Sequence, residues 1–166
     1  MAKKTADTSA KAGAKTTLLK RRSRQIGAFC YRTGKRGEIE FLLVTSSEGR
    51  WILPKGWPMP GTTPRKVARI EAWEEAGVRK GKASRKPVMK VKSHKQIGPN
   101  TRLKTRLAIY AIKVKSLAKA FPEDDRRDRR WVTLEKAERL ISDKRLRKAL
   151  QDLTAEVTQT PPGRAV

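Results

Sequence analysis

The stretch GWPMPGTTPRKVARIEAWEEAGV, residues 56–78, contains the clearest helix signals in the chain. Thr63 predicts the N-cap, because a threonine hydroxyl accepts a hydrogen bond from a free amide of the first turn. Pro64 fits the first helical position, where its fixed φ is already helical. Gly77 is suited to the left-handed residue that ends a helix. Together these residues predict a single helix of about 13 residues.

Three glutamates fall on one face of this predicted helix. Glu71, Glu74 and Glu75 stand at i, i+3 and i+4, which places them within an arc of about 100°. A basic residue three or four positions before Glu71 would be its neighbour on the helix and could pair with it. Both of those positions are apolar, although the chain has 41 lysines and arginines. Clustered carboxylates without cationic neighbours are typical of a site for Mg²⁺ or Mn²⁺. Surface glutamates paired with lysines from elsewhere in the fold are the alternative that the helix alone leaves open.

The spacing of the whole stretch resembles the Nudix box. That family pattern runs glycine, five residues, glutamate, seven residues, and then Arg-Glu-apolar-x-Glu-Glu-x-Gly-apolar. Aligned on the glycine after the helix, it opens at Gly56 and places its three helix glutamates on Glu71, Glu74 and Glu75. The order of predicted strands and helices agrees with the family over about residues 25–155. WILPKGW before the box and RRWVTLEKA after it are most similar to the diphosphoinositol polyphosphate phosphohydrolase branch.

This resemblance implies both a fold and a chemistry. The implied fold belongs to the α/β (α+β) class, as a Nudix-like α/β/α sandwich with a mixed β-sheet and a catalytic loop-helix. The implied reaction is metal-dependent hydrolysis of a phosphoanhydride bond by water that attacks phosphorus. The family pattern assigns the Mg²⁺ or Mn²⁺ ligands to Glu71, Glu75 and the backbone carbonyl of Gly56. It assigns to Glu74 the role of the base that orients or deprotonates the water.

Two positions depart from the family pattern. Thr62 stands where the family has its first glutamate, and Ile70 stands where it has an arginine. Arg69 cannot replace that arginine, because it points about 100° away around the helix. We expect these changes to affect loop rigidity and turnover more than metal binding, since the three helix glutamates are retained.

The charge of the chain indicates the class of its substrate. A formal net charge of +25 attracts phosphate-rich partners. Residues 79–122 contain 14 lysines and arginines and no acidic residue, and apolar runs on either side of GPN predict a basic β-hairpin. The predicted substrate-binding residues lie on this hairpin or next to the box: Lys55, Lys92, Arg102, Lys104 and Arg106. A solvated outer strand face is the alternative interpretation of the hairpin residues.

The chain divides into three predicted segments. Residues 1–24 have little to bury and are predicted to form a disordered basic N-terminal arm. Residues 25–155 are predicted to form the Nudix hydrolase domain, and residues 156–166 a flexible C-terminal tail. Apolar residues at helical spacing after the charged loop FPEDDRRDRRW predict one or two further helices in the domain.

Two functions compete at this point. The favoured one is a Mg²⁺-dependent hydrolase that cleaves a phosphoanhydride bond in a nucleoside-diphosphate-linked or polyphosphorylated small molecule. The substrate class is then a dinucleoside polyphosphate or a diphosphoinositol polyphosphate. The alternative is a Nudix-like protein with weak or no catalysis, which binds RNA or DNA through the arm and the hairpin. Nonspecific contact with nucleic acid through the basic surface is compatible with either function, and the oligomeric state is left open.

Cysteine content and hydropathy predict the location of the protein. Cys30 is the single cysteine, so no intramolecular disulfide forms, as expected in a reducing cytosol. No apolar run approaches the ~20 residues needed to span a bilayer, and the N-terminus lacks the apolar core of a secretory signal. We therefore expect a cytoplasmic protein with no membrane partner. A transit peptide is a weaker alternative, because the N-terminus is nearly free of acid but richer in lysine than in arginine.

Overall fold

The described part of the chain forms an eight-stranded sheet in the computed structural model. The model describes residues 24–98 and 101–159, except for the side chains at 93, 94, 96, 98, 101 and 102. The strands are β1 Arg24–Thr33, β2 Ile39–Thr45, β3 Trp51–Ile52, β4 Lys55–Gly56, β5 Val78–Ala83, β6 Met89–Gly98, β7 Thr101–Leu117 and β8 Arg129–Thr133. The helices are α1 Pro64–Ala76, α2 Leu134–Leu140 and α3 Lys144–Gln159.

The sheet is mixed. Its main path runs β3-β2-β1-β7-β5, while β4 pairs with β1, β6 with β7 and β8 with β2. β1 and β7 pair in parallel, from Arg24 opposite Arg106 to Tyr31 opposite Lys113, and the other pairs are antiparallel. Residues 25–30 of the central β1 are buried, because this part of the strand is covered on both faces.

Helices cover both faces of this sheet. On one face, the apolar side of α1 packs against alternate residues of β1, β2 and β7. On the other face, α2 and α3 pack against the intervening residues of the same strands, including Phe29, Phe41 and Leu107. The predicted α/β/α sandwich with a mixed sheet is therefore confirmed, and the alternation of side chains along each strand explains it.

The caps of α1 are the ones that the sequence predicts. The Thr63 hydroxyl accepts a hydrogen bond from the Lys66 amide at 3.4 Å, and Pro64 is the first helical residue. Gly77 adopts φ of 67°, and its N–H donates to the Trp73 carbonyl at 2.9 Å. A left-handed residue of this kind ends the helix without the steric cost of a Cβ atom.

The predicted basic hairpin is present, but strands β5 and β8 were not predicted. β1 pairs with β2, and β6 pairs with β7 with Lys92 opposite Arg106. No strand is predicted from the sequence at β5, and the predicted charged loop extends to Trp131, within β8. The second assignment was wrong, because β8 pairs with β2 along its length although only Val132 is fully buried in it. A strand that is mostly charged is recognised by its partner rather than by its own residues.

Two described elements extend beyond the predicted domain bounds. β1 begins at Arg24, which the sequence analysis assigned to the arm, and α3 continues through Gln159, beyond the predicted domain end at 155. Leu150 and Leu153 hold that helix in the core. Cys30 is free and fully buried, as its apolar surroundings indicate. Within the described parts of the chain, no helix is long and apolar enough to cross a membrane.

Candidate active site

Glu71 lies directly against the backbone of Gly56. β4 holds Gly56 beside Ile26 of β1, and α1 packs over the same region. A Cβ atom built on Gly56 would come within 1.8 Å of Glu71 Oε1, so only glycine leaves room for this carboxylate. The Glu71 residue is only 8% exposed. The loop before the helix and the helix itself thus bring together two of the residues that the family pattern predicts as metal ligands.

Glu75 is held one helical turn further along the same face. Its Oε2 accepts a hydrogen bond from the Lys55 backbone amide at 3.1 Å. Its Oε1 accepts from Arg127 Nη2 at 2.5 Å, and both side chains of this ion pair are largely buried. The structure therefore brings Lys55, Gly56, Glu71 and Glu75 into one site, between β4 and α1.

Arg127 is a site residue that the sequence analysis missed. Besides Glu75, its guanidinium donates to Glu123 Oε2 at 2.7 Å and to the Thr45 carbonyl at 2.7 Å. The next residue, Asp128, donates its amide to Thr45 Oγ1 at 2.9 Å. The charged loop before β8 is thus fixed to the end of β2 and to the helix glutamate. Nothing in its run of alternating charges distinguishes this arginine from its neighbours.

A second arginine from the same region holds the end of α1. Arg129 donates to the Ala76 carbonyl at 2.8 Å and to the Ala118 carbonyl at 2.6 Å. Its guanidinium also lies over the Phe121 ring, 4.6 Å from the centroid. A cation at the C-terminal end of a helix satisfies free carbonyls and complements the helix dipole. Arg129 therefore positions the turn that carries Glu74 and Glu75.

Burial and mutual repulsion dominate the electrostatics of the site. Burial, reinforced by the charges of Glu75 and Glu74, raises the pKa of Glu71 to about 7. Burial also raises the pKa of Glu75, although Arg127 and the Lys55 amide act in the opposite direction. Burial and the neighbouring Lys95 lower the pKa of Lys55. These directions describe a site in which negative charge is concentrated and poorly solvated.

Glu74 occupies a different position from the other two glutamates. It is half-buried, at the edge of the face that carries Glu71 and Glu75. Its backbone carbonyl accepts a hydrogen bond from the Glu123 amide at 3.0 Å, which ties the charged loop to the helix. A carboxylate with access to solvent beside two buried ones is suited to meet a water molecule.

The two buried carboxylates fit a hydrated divalent cation. In the part of the chain that the structure describes, no three or more His, Cys, Asp or Glu side chains are clustered to hold a metal ion. Two are sufficient for Mg²⁺, which usually keeps several waters and binds one or two carboxylates together with substrate phosphates. The raised pKa of Glu71 also reflects repulsion that a divalent cation relieves. The donor set therefore fits Mg²⁺ or Mn²⁺.

The predicted basic ladder lies on one exposed face of the β6–β7 hairpin. Lys92 and Arg106 are opposite each other in the register, and both are exposed, as is Lys104. Val91 and Leu107 alternate with them and pack into the core on the α2–α3 side, so the ladder faces the side that carries α1. The side chain of Arg102 lies outside the described residues. No contact of the described side chains joins the ladder to Glu71 or Glu75, and its role remains a prediction.

A different lysine from the hairpin is next to the site. Lys95 Nζ lies over the Trp57 ring, 4.6 Å from its centroid, and its charge acts on Lys55. Trp57 follows Gly56 directly in the sequence. Lys95 is not predicted from the sequence, because one lysine among many in the hairpin carries no distinguishing signal. Lys95 therefore lies near Lys55 and Trp57, the residues on either side of Gly56.

This fold is that of the Nudix class, and the NUDIX domain model matches residues 23–153. The chain therefore belongs to the NUDIX domain family. It is 38% identical over 107 residues to "Nudix hydrolase 16, mitochondrial" from Arabidopsis thaliana, over 60% of this chain and 56% of that protein. The chain thus spans little more than half the length of this relative, which is named as a hydrolase. The mitochondrial name of the relative does not support the predicted cytoplasmic location.

Solved structures show the same fold. A Caenorhabditis elegans Ap4A hydrolase binary complex superposes with a TM-score of 0.64 at 21% identity, over 83% of this chain and 99% of that chain. The NUDIX domain of Shewanella oneidensis NrtR, complexed with ADP ribose, has a TM-score of 0.65 at 15% identity, over 93% of this chain and all of that domain. At these identities the likeness establishes the architecture alone. The particular branch predicted from the sequence is not established by these comparisons.

Proposed function

We propose that this protein is a pyrophosphohydrolase that cleaves a phosphoanhydride bond with the help of a divalent cation. The observation that carries the proposal is the pair of buried carboxylates, Glu71 against Gly56 and Glu75 against the Lys55 amide. Burying two acidic side chains close together costs free energy unless a cation neutralises them. Of these two carboxylates, Arg127 contacts Glu75 and not Glu71, and it also pairs with Glu123, which leaves negative charge at Glu71 for Mg²⁺ or Mn²⁺.

The proposed mechanism divides the work among the residues of this site. Glu71, Glu75 and the carbonyl of Gly56 would hold the cation, which neutralises phosphate oxygens and lowers the pKa of a water molecule when bound. Glu74 accepts the proton of the attacking water or orients it. Lys55 and Lys95 hold negative phosphate groups beside the carboxylates, where burial strengthens their attraction. Arg127 and Arg129 keep the helix turn in place.

The proposed substrate is a polyphosphorylated small molecule, of the dinucleoside polyphosphate or the diphosphoinositol polyphosphate class. The net charge of +25 supports a highly anionic substrate. The exposed ladder of Lys92, Lys104 and Arg106 supplies positive charge along one line, and Arg102 belongs to it by sequence. The branch resemblance in WILPKGW and RRWVTLEKA favours the inositol class.

A phosphate-release assay tests this proposal. The panel contains nucleoside diphosphate conjugates, dinucleoside polyphosphates and inositol pyrophosphates, each with Mg²⁺ and with EDTA. We expect release from at least one polyphosphorylated compound only with metal, and a loss of at least ~100-fold in kcat for Glu74→Gln. Glu135→Gln, an exposed helical glutamate, is the matched control and should keep full activity. Release that is unaffected by Glu74→Gln would refute the assignment of the base.

One set of observations favours a second function, a nucleic-acid-binding protein with weak catalysis. Two box positions depart from the family pattern at Thr62 and Ile70, and Arg127 occupies one carboxylate of the proposed metal site. This function predicts salt-sensitive binding of RNA or DNA that Glu74→Gln does not change. It also predicts no metal-dependent release from any compound of the panel. Binding assays at low and high salt, beside the release assay, separate the two functions.

The proposed location is the cytoplasm, and a fusion experiment tests it. A fluorescent protein at the C-terminus leaves residues 1–24 free to act as an address signal. A diffuse cytoplasmic signal, unchanged when residues 1–24 are deleted, is the expected result. Mitochondrial fluorescence that is lost on the same deletion would show that the arm is a transit peptide.

A further inference from the structure

A cavity lies behind α1, on the side of the helix away from the buried carboxylates. Its volume is about 540 Å³, and it opens between the helix and the edge strand β5. From the helix it is lined by Lys66, Arg69, Ile70 and Trp73, which recur at i, i+3, i+4 and i+7. These positions form one stripe along the helix. Glu71 and Glu75 project from roughly the opposite side of the helix. The cavity is therefore separate from the candidate active site.

The walls of this cavity combine an aromatic surface with positive charge. Trp73 is 37% exposed, which makes it one of two large hydrophobic side chains that are exposed in the described part of the chain. Ile70, Val78 and Ile112 add an apolar floor beside it. A tryptophan ring left open to solvent over an apolar floor offers a stacking surface for a flat ring.

Three cations surround this aromatic surface. Lys66 and Arg69 come from the helix and Arg79 comes from β5, and all three are exposed. Among the side chains that the structure describes, no carboxylate pairs with any of them. Three cations without acidic partners around one opening favour a ligand with a phosphate group.

We propose that this cavity is a second binding site, for a nucleobase that carries phosphate. The base stacks on Trp73 over the apolar floor, and the phosphate contacts Lys66, Arg69 and Arg79. A volume of about 540 Å³ falls in the range of small-ligand pockets. An inorganic anion would leave the tryptophan unused, and an apolar ligand would leave the cations unused, so a nucleotide unit satisfies both halves of the cavity.

The same chemistry is present in a free nucleotide and in one unit of a single-stranded nucleic acid. β5 continues the positive charge away from the cavity, with Lys80 and Lys82 exposed on the edge strand. A strand of nucleic acid would use these lysines for its further phosphates, whereas a mononucleotide would not reach them. The affinity of an oligonucleotide relative to that of a mononucleotide distinguishes the two sources.

Binding of AMP to the full-length protein tests the proposal. AMP contains no phosphoanhydride bond, and EDTA removes the cation that would hold a phosphate at the active site, so the readout is independent of the proposed hydrolysis. Calorimetry should show that Trp73→Ala weakens AMP binding by roughly 5-fold to 150-fold, the range for losing one base stack. Trp73→Phe should retain most of the affinity, because phenylalanine still offers a ring.

Charge-matched variants and a ligand without a base complete the test. Arg69→Gln should weaken AMP binding, and Lys136→Gln, which removes one charge from an exposed position on α2, should not. Ribose 5-phosphate should bind much more weakly than AMP. If a short single-stranded oligonucleotide binds more tightly than AMP and its binding also depends on Trp73, the natural ligand is a nucleic acid. If the oligonucleotide binds equally or more weakly, the natural ligand is a free nucleotide. AMP binding that Trp73→Ala leaves unchanged, or ribose 5-phosphate that binds as tightly as AMP, would overturn the proposal.

Discussion

Replacement of Gly56 by alanine is expected to remove metal binding without unfolding the protein. The added Cβ would lie 1.8 Å from Glu71 Oε1, whereas an ordinary contact begins at 3.4 Å, so the carboxylate must retreat by about 1.6 Å. A Mg²⁺–oxygen bond is only ~2.0–2.1 Å long, and a shift of this size takes Glu71 out of the coordination sphere. The backbone of Gly56 does not need a positive φ, so alanine introduces no strain of its own.

The expected result separates binding from stability. Because the displaced group is the flexible end of one side chain, we expect the free energy of unfolding to change by no more than about 1 kcal/mol. Mg²⁺ or Mn²⁺ affinity should fall at least about tenfold, and metal-dependent phosphate release should fall with it. Titration calorimetry with Mn²⁺, chemical denaturation and the release assay measure the three quantities on the same preparation.

Gly34→Ala is a matched control for this variant. A Cβ on Gly34 would also meet a carboxylate, that of Glu38, at 2.6 Å, but on the turn between β1 and β2. This variant should lose neither metal affinity nor activity. Unchanged Mn²⁺ affinity in Gly56→Ala would refute the placement of the cation between Gly56 and Glu71. A decrease of several kcal/mol in the free energy of unfolding would refute the separation of binding from stability.

Three further predictions follow from the same contacts. Arg127→Gln should lower the stability of the metal-free protein by roughly 3 kcal/mol, because it leaves Glu75 buried without its cation. Mg²⁺ should then stabilise the variant more than it stabilises the parent protein. Thermal melts with and without Mg²⁺ measure both effects, and an equal Mg²⁺ effect on the two proteins would contradict this prediction. The pKa of Glu71 is raised to about 7, so between that pH and the ordinary glutamate pKa the folded metal-free protein binds a proton that the unfolded chain lacks. As pH falls through this window, the stability of the metal-free protein should rise and its Mn²⁺ affinity should decrease. Denaturation and calorimetry at several pH values measure the two trends, and a pH-independent affinity would argue against Glu71 as a ligand. Ile70→Arg should cost less than about 1 kcal/mol of stability, since Ile70 lines the open cavity rather than the closed core, and a large loss in chemical denaturation would show that it belongs to the core.

The sequence predicted the parts of the site whose signals are local. The bounds of α1 follow from Thr63, Pro64 and Gly77, because capping depends on residues within one turn of the helix end. The shared face of the three glutamates follows from helical periodicity alone. The sheet covered on both faces, by contrast, was predicted only through the family resemblance.

The sequence could not show the residues that reach the site from a distance. Arg127 contacts Glu75 across 52 residues of sequence, and its position depends on the pairing of β8 with β2. Lys95 comes to the site because β6 pairs with β7 in one register, and a shift by one residue would turn it to the opposite face. Such contacts depend on which strands are neighbours, and a single sequence of mixed charges does not determine that.

The positions of the three glutamates depend on the loop before β8 as much as on their spacing in α1. This loop and the first residue of β8 contact the last turn of the helix at three points, through the Glu123 amide to Glu74, Arg127 to Glu75 and Arg129 to Ala76. Two of these contacts reach backbone carbonyls, so they fix the direction of the helix end, and the third fixes a side chain. Catalytic groups must be held to within a fraction of an ångström of their productive positions. The helix residues therefore supply the chemical groups of the site, and the charged loop together with Arg129 supplies their orientation. Arg127 and Arg129 thus have a role in a site that is itself acidic.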